Sequence, residues 1–330
     1  MVNKILITKD ALRADYLSCY GSHYWQTPNI DELANKGTKF VRHYTAAPST
    51  AMSVTSMFSE KYPHEMDRKE YSEVDQYKDQ TLFDSFKEAG MSNFVIWPIE
   101  WDKTTWLYSK VFPKHVKLIS MRGIAEGIKR DTNSNINNND KVSKEALERI
   151  ILKIDSILSN NDKSFIWLHL PHVIKGRTSY GSDIDLFDNL VGKLRKRFND
   201  DSIYISSDHG HMNYDKGIPV YGFHVYESSI KVPLIVPRID DNLTIDFPTS
   251  HTQLKEIIFS SNVNERKYIY SDTQYYLQDN RKLAIIKGKF KYIFNKKNKT
   301  EELYDLDYDS NENVNLLMRK VYDRNRLGYY

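Results

Sequence analysis

Short continuous apolar runs alternate along the chain with segments whose apolar positions recur every three or four residues. "KILIT" (4–8), "NFVIWPI" (93–99), "SFIWLHL" (164–170) and "DSIYISS" (201–207) are of the first kind. Such runs predict strands buried on both faces, as in a parallel sheet. "TPNIDELANKG" (27–37) places Thr27 as N-cap, Pro28 in the first turn, acids early and Gly37 at the C-terminal end, a helix by its start and stop residues. "TLFDSFKEAG" (81–90) repeats the helix-to-glycine pattern, and "SKEALERIILKIDSILSN" (143–160) has strong helical periodicity. Strand and helix in alternation predict an α/β fold around a mostly parallel sheet. The texture changes near residue 265. "KLAIIKGKFKYIF" (282–294) predicts a hairpin, "EELYDLDYD" (301–309) a short helix, and the Asn-rich "TNSNINNND" (132–140) an exposed loop. The expected division is a catalytic α/β domain over 1–264 and a smaller C-terminal region over 265–330 packed on it.

Composition narrows the class without naming a function. The 330 residues, 40% hydrophobic and 28% charged, can bury a substantial core and fit neither a disordered chain nor a membrane span. A formal charge of +3 on a chain this long gives no reason to expect nucleic acid as a partner. The one cysteine, Cys19, excludes an intramolecular disulfide and a thiolate zinc cluster, and fits a reducing compartment. "MVNKILITKD" reaches a charge too early for a signal peptide, and no apolar run is long enough to span a membrane. The cytoplasm is therefore the expected location, unless a leader has been removed. Oligomeric state is left open.

Candidate chemistry collects in two places. "STAMSVTSMFS" (49–59) crowds hydroxyls around Met52, Met57 and Phe58. It reads as a helix starting at Ser49 or Thr50, either with ordinary capping hydroxyls or with one hydroxyl as a nucleophile at a helix N-terminus, where free N–H groups favour an anion. The other place is the carboxyl ends of the predicted strands, where open α/β sheets collect their ligands. The first run leads into Lys9 and Asp10, the third delivers His169 and then His172, and the fourth delivers Asp208 and His209 with His211 beyond. Three strand ends carrying ionisable groups favour a metal site, with the Thr50 stretch close enough to join it.

These pieces also resemble a known family. "DALRADYLSCYG" (10–21), "TPNIDELANKGTKF" (27–40), "YPHE" (62–65), "SSDHG" (206–210), "YESSIKVPLIVP" (226–237), "KGKFKYIF" (287–294) and "EELYDLDYDSNENVNLL" (301–317) occur in the order of the sulfatase branch of the alkaline phosphatase superfamily. The resemblance runs from about residue 4 to 318 and implies a three-layer sandwich. Two departures carry information. Sulfatases mature a cysteine within Cys-x-Pro-Ser-Arg to formylglycine, whereas here Thr50, Ala51, Met52, Ser53 and Val54 stand there. "TAMSVTSMFS" instead resembles the nucleophile loop of the phosphoethanolamine transferases, which implies Thr50 as nucleophile. Sulfatases also present two adjacent aspartates and an Asp-Asn pair, an oxygen cage suited to calcium. Here Asp10 precedes Ala11, and Asp208 precedes His209.

The implied ligand set is Asp10, Thr50, Asp208 and His209 around one divalent ion, with zinc or manganese favoured by the imidazole and calcium as the alternative. The implied chemistry is in-line attack of Thr50 on a phosphate ester, giving a phospho-threonine. His169, His172 and His224 would hold nonbridging oxygens or protonate the leaving group. His211, Lys175, Arg177 and Lys216 are near enough in sequence to touch an anion but read as solvated loop charges. The expected partner is a small-molecule, glycan or lipid head-group phosphate or sulfate ester. The competing readings are plain sulfatase or phosphatase hydrolysis, and an inactive relative that binds an anion or glycan.

Overall fold

The computed structural model describes residues 2–66, 81–97, 112–120, 136–170, 183–240, 243–273 and 280–318. His172, Lys175 and Arg177 lie outside the described residues. The main sheet contains β1 (Lys4–Lys9), β2 (Thr38–Phe40), β4 (Ser92–Trp97), β5 (Lys117–Ser120), β6 (Ser164–Leu170), β7 (Ile203–Ser207), β8 (Leu234–Val236) and β9 (Thr244–Ile245). Its order is β5-β4-β6-β1-β7-β8-β2-β9, and only β8 runs against the rest. β3 (His43–Tyr44) pairs separately with β10 (Thr249–Ser250).

The strands are apolar throughout because helices cover both faces. Ile5, Ile7, Ile166, Leu168, Ile203 and Ile205 join one buried cluster with α1 (Pro28–Lys36), α4 (Ile136–Ser159) and α5 (Ile184–Leu194). The alternate residues Leu6, Phe165, Trp167 and Tyr204 join the other, against α2 (Thr50–Ser59), α3 (Leu82–Glu88) and α7 (Leu254–Ser260). The side-chain period of two along a strand thus divides each continuous run between two cores. The expected three-layer sandwich with a mostly parallel sheet is the architecture observed.

Two expectations need correction. "EELYDLDYD" does not form a helix: β14 (Thr300–Asp305) completes a four-stranded antiparallel sheet with β11 (Ile269–Asp272), β12 (Lys282–Lys287) and β13 (Phe290–Asn295). Pairing with β13 places Glu302 opposite Ile293 and Tyr304 opposite Lys291, and a preformed neighbouring strand outweighs the local helix propensity of the two glutamates. The expected hairpin is the β12–β13 pair within this sheet. The Asn-rich tract is not wholly a loop, because α4 already begins at Ile136. Each asparagine costs only a few tenths of a kcal/mol against a better helix former, which a long, strongly periodic helix can carry.

Candidate active site

Adjacent central strands β6, β1 and β7 bring their carboxyl ends together, with Lys9 registered between Leu170 and Ser207. α2 starts at Thr50 with extended Ser49 before it, and everything from Ala51 to Ser59 is buried. The helix therefore delivers its N-terminus, with free N–H groups and positive dipole end, to the strand ends. Ala11 takes a left-handed conformation, φ 58°, and its N–H donates to Asp208 Oδ1 at 3.0 Å. A left-handed alanine costs about 1–2 kcal/mol, local strain retained where it ties two site-bearing loops together.

Thr50 Oγ1 lies 3.1 Å from His209 Nε2. The same His209 nitrogen is 3.5 Å from Asp10 Oδ1 and 3.5 Å from Asp208 Oδ2. Asp208 is fully buried and its Oδ2 accepts no hydrogen bond among the described residues. Burial alone would raise its pKa, yet the His209 and His169 rings, the Ala11 N–H and the Thr50 hydroxyl together hold it below the ordinary carboxylate range. Carboxylate oxygens of Asp10 and Asp208 also lie within 4.8 Å of a His169 ring nitrogen. Two carboxylates, a hydroxyl and imidazoles thus converge on one spot.

The two histidines differ in what they present. His209 Nδ1 is 2.7 Å from the Gly210 carbonyl, which can only accept, so Nδ1 carries the hydrogen and Nε2 offers a lone pair. For His169 the chain of donors starts further back. Trp167 Nε1–H can only donate, and it reaches Thr8 Oγ1 at 2.8 Å. The Thr8 hydrogen then goes to His169 Nδ1, 2.7 Å away, which leaves His169 Nε2 bearing a hydrogen, with no hydrogen-bond partner among the described residues. Trp97 stacks on the ring at 4.2 Å. Burial pushes the His169 pKa down to about 4, so the ring is neutral at pH 7. His209 thus presents Nε2 to Thr50 and the carboxylates, and His169 turns a ring N–H toward them.

A divalent ion fits this donor set. Bonds of roughly 2.0–2.2 Å in tetrahedral geometry separate ligand atoms by roughly 3.3–3.6 Å, and the separations of 3.1 and 3.5 Å are close to that. Asp208 Oδ2, buried and without a hydrogen-bond partner among the described residues, is an atom a cation would satisfy.

The remaining expected residues fall elsewhere. His224 stacks on Tyr226 with Lys282 nearby, and among the described residues no contact joins it to Asp10, Asp208 or His209. His211 is buried rather than solvated: its Nδ1 accepts from Asn213 N–H at 2.9 Å and its ring packs on Tyr221, which also covers His209. Lys216 is likewise no free loop charge, since it donates to the Glu312 carbonyl and lies over the Tyr226 ring at 4.9 Å. Lys9 is buried against Asp183 at 2.5 Å. Sequence reasoning missed Thr8, Tyr221, Ser53 and His251. Only Ser53 carried a usable hint, since three residues after Thr50 it falls on the same helix face.

Comparison with known proteins bears on the family and the fold. The family model described as Sulfatase matches residues 3–173, just over half of the chain. The steryl-sulfatase of Rattus norvegicus is 39% identical over 61 residues, 18% of this chain and 11% of that protein, so the match spans about a tenth of the relative's length. Two solved structures align along almost the whole chain. A 2-O GAG sulfatase has a TM-score of 0.72 at 16% identity, covering 99% of this chain and 90% of its own. The phosphonate monoester hydrolase of Agrobacterium radiobacter has a TM-score of 0.71 at 14% identity, covering 100% and 94%. At these identities they establish the shared fold.

Proposed function

This chain belongs to the sulfatase family, and from that premise we propose that it is a metal-dependent phosphotransferase or phosphodiesterase with Thr50 as nucleophile. The observation that carries the reading is the placement of Thr50 Oγ1 at the first turn of α2, 3.1 Å from His209 Nε2, the same nitrogen that lies 3.5 Å from carboxylate oxygens of Asp10 and Asp208. Asp10, Thr50, Asp208 and His209 would hold one divalent ion, with zinc or manganese suited to three oxygens and an imidazole and calcium as the alternative. When bound, such an ion lowers the pKa of the hydroxyl and polarises the phosphoryl oxygen.

The chain's own groups supply the rest. The Thr50 hydrogen faces His209 Nε2, and Thr50 Oγ1 forms the new P–O bond as the bond to the leaving oxygen breaks. The N–H groups at the start of α2 and His169 Nε2–H hydrogen-bond the phosphoryl oxygens as their charge grows. The resulting phospho-Thr50 passes its phosphoryl group to water in a hydrolase, or to a sugar or lipid hydroxyl in a transferase. His172 stays a candidate second donor, while the contacts of His224 favour a role outside the reacting centre. Sulfate ester hydrolysis is the second reading, favoured by the family; Thr50 in place of the maturable cysteine and Val54 in place of the arginine weigh against it. An inactive glycan- or anion-binding relative is disfavoured by the joint presence of Asp10, Thr50, Asp208 and His209 in one cluster.

The test is a panel of p-nitrophenyl phosphate, bis-p-nitrophenyl phosphate and p-nitrophenyl sulfate on wild type, Thr50→Ala and Thr50→Ser. Thr50→Ala should lose about 10³-fold or more in turnover, Thr50→Ser should retain part of it, and mass spectrometry after brief turnover should find added phosphate on the Thr50 peptide. Full activity in Thr50→Ala would make a metal-bound hydroxide the better nucleophile.

A further inference from the structure

Behind the first turn of α2 lies a second polar cluster, fully buried and outside the reacting centre. Ser53 Oγ donates to the main-chain carbonyl of Asp208, which can only accept, so the one Ser53 hydrogen is committed. His251 Nδ1 lies 3.1 Å from the same Oγ and must therefore be the donor in that contact. Thr45 Oγ1, 2.8 Å away, completes the surroundings of Ser53. The His251 ring sits 5.1 Å from that of His43, whose Nδ1 is 2.9 Å from Thr249 Oγ1, and His43 and Thr249 are themselves registered partners across β3 and β10. The ring is thus seated on a rigid pair of strands. Burial drives its pKa to about 3, which keeps it neutral and able to serve as a fixed donor.

Thr50 and Ser53 stand three residues apart on one face of α2 and grip adjacent residues at the end of β7, Thr50 at the ring of His209 and Ser53 at the carbonyl of Asp208. We propose that Ser53 and His251 are positioning residues, a clamp that sets the register of α2 on the end of β7 and so holds Thr50, Asp208 and His209 at ligand spacing. The proposal rests on the reading of those three as members of a metal centre. It also revises what helix capping alone would assign to Ser53. Without the Ser53 hydroxyl a buried carbonyl and a buried ring N–H lose their common partner, and the helix start is free to shift along the strand end.

The experiment is isothermal titration of metal-free full-length protein with Zn²⁺ and with Mn²⁺. Ser53→Ala and His251→Leu should each weaken binding by about 10–100-fold, the range for groups that orient metal ligands. The double variant should be no weaker than the worse single, because both remove one linked unit. His251→Asn, whose amide N–H replaces Nδ1–H, should bind within about threefold of wild type. Thr81→Ala, which removes the cap of α3, should lower the melting temperature and leave metal affinity unchanged. Wild-type affinity in Ser53→Ala, an Asn variant as weak as the Leu variant, or additive losses would overturn the clamp. If His251→Leu does not fold, Ser53→Ala and His251→Asn decide the matter. Asp208→Asn separates the two claims: undiminished binding there overturns the metal centre and the clamp with it, whereas weakened binding there with wild-type affinity in Ser53→Ala overturns the clamp alone.

Discussion

Lys291→Met is the substitution whose effect follows most directly from the structure. Lys291 on β13 is completely buried, with Glu227 Oε1 at 3.0 Å and Glu312 Oε1 at 2.8 Å. Glu312 also accepts from Glu227 N–H at 2.7 Å, and Tyr44 OH reaches Glu227 at 3.2 Å. The cation thus ties the C-terminal sheet to α6 (Glu227–Ile230), whose residues Ser228 and Ser229 accept from His211 and Gly210. Methionine fills the volume but leaves two carboxylates buried without a counter-charge, at a cost of about 3–5 kcal/mol. With about 2.1 cal/mol/K of unfolding entropy per residue, the 330 residues give roughly 0.7 kcal/mol/K. The melting temperature should therefore fall by roughly 4–7 °C at pH 7.5.

The sign of the pH dependence follows from Glu312. Burial first, and then Glu227, raise its folded-state pKa, while Lys291 pulls it down. Between the ordinary glutamate value of about 4.3 and the raised folded one, the folded chain binds more protons than the unfolded chain. Stability from this group therefore rises as pH falls through that window. Removing Lys291 widens the window, so the deficit should shrink on acidification, and Glu312→Gln added to Lys291→Met should recover part of it at pH 7.5. Scanning calorimetry at pH 7.5 and 5.5 measures both effects. A variant melting within about 1 °C of wild type at pH 7.5, or a deficit that does not change with pH, would refute the reasoning.

Two further outcomes are expected. Gly210→Ala would drive a Cβ into the Ser228 carbonyl, a backbone atom with little room to yield, and should displace His209 and weaken Zn²⁺ binding by about tenfold or more; an unchanged titration isotherm would show that the loop absorbs the methyl group. His251, held down to about pKa 3 by burial, binds its proton in the unfolded chain first, so its contribution is present above about pH 6.5 and is lost as pH falls from there toward 3. The slope of melting temperature against pH on that acid limb should be shallower in His251→Asn, and an identical slope would count against the buried-neutral assignment.

The main sheet was legible in the sequence because its strands are apolar on both faces, and a continuous run such as "SFIWLHL" has few other ways to bury itself. Asp10 and Asp208 were legible as strand-end acids, and Thr50 as the first residue of a helix rich in hydroxyls. Other features depend on partners far along the chain. β14 is a strand because β13 lies beside it, and nothing within "EELYDLDYD" says so. The clamp joins Ser53 to Asp208 and His251, about 155 and 198 residues away, where helix periodicity gives no guide. His169 was legible as a strand-end histidine, but its donor tautomer depends on Thr8 and Trp167, which only pairing of β1 with β6 sets beside each other.

The charges around the centre bear on the substrate. Two carboxylates and one divalent ion are neutral as a set, so discrimination among anions falls to the groups nearby. The cations that flank the centre in sequence are already committed: Lys9 to Asp183, Arg13 to Asp15 and Asp215, and Lys216 to the Glu312 carbonyl. Val54 stands where sulfatases carry an arginine, and His169 is neutral. Hydrogen-bond donors therefore outnumber available positive charge here, among the described residues. A phosphodiester or sulfate monoester brings one negative charge to such a site, whereas a phosphate monoester brings close to two at neutral pH and would leave one poorly matched in a partly buried setting. In the substrate panel proposed above, the diester should accordingly be turned over more efficiently than the phosphate monoester. Under the reading proposed above, the order between diester and sulfate turns on the Thr50 hydroxyl: attack on a diester would expel one alcohol and leave Thr50 bearing the remaining phosphate ester, which water or an acceptor hydroxyl could then take up.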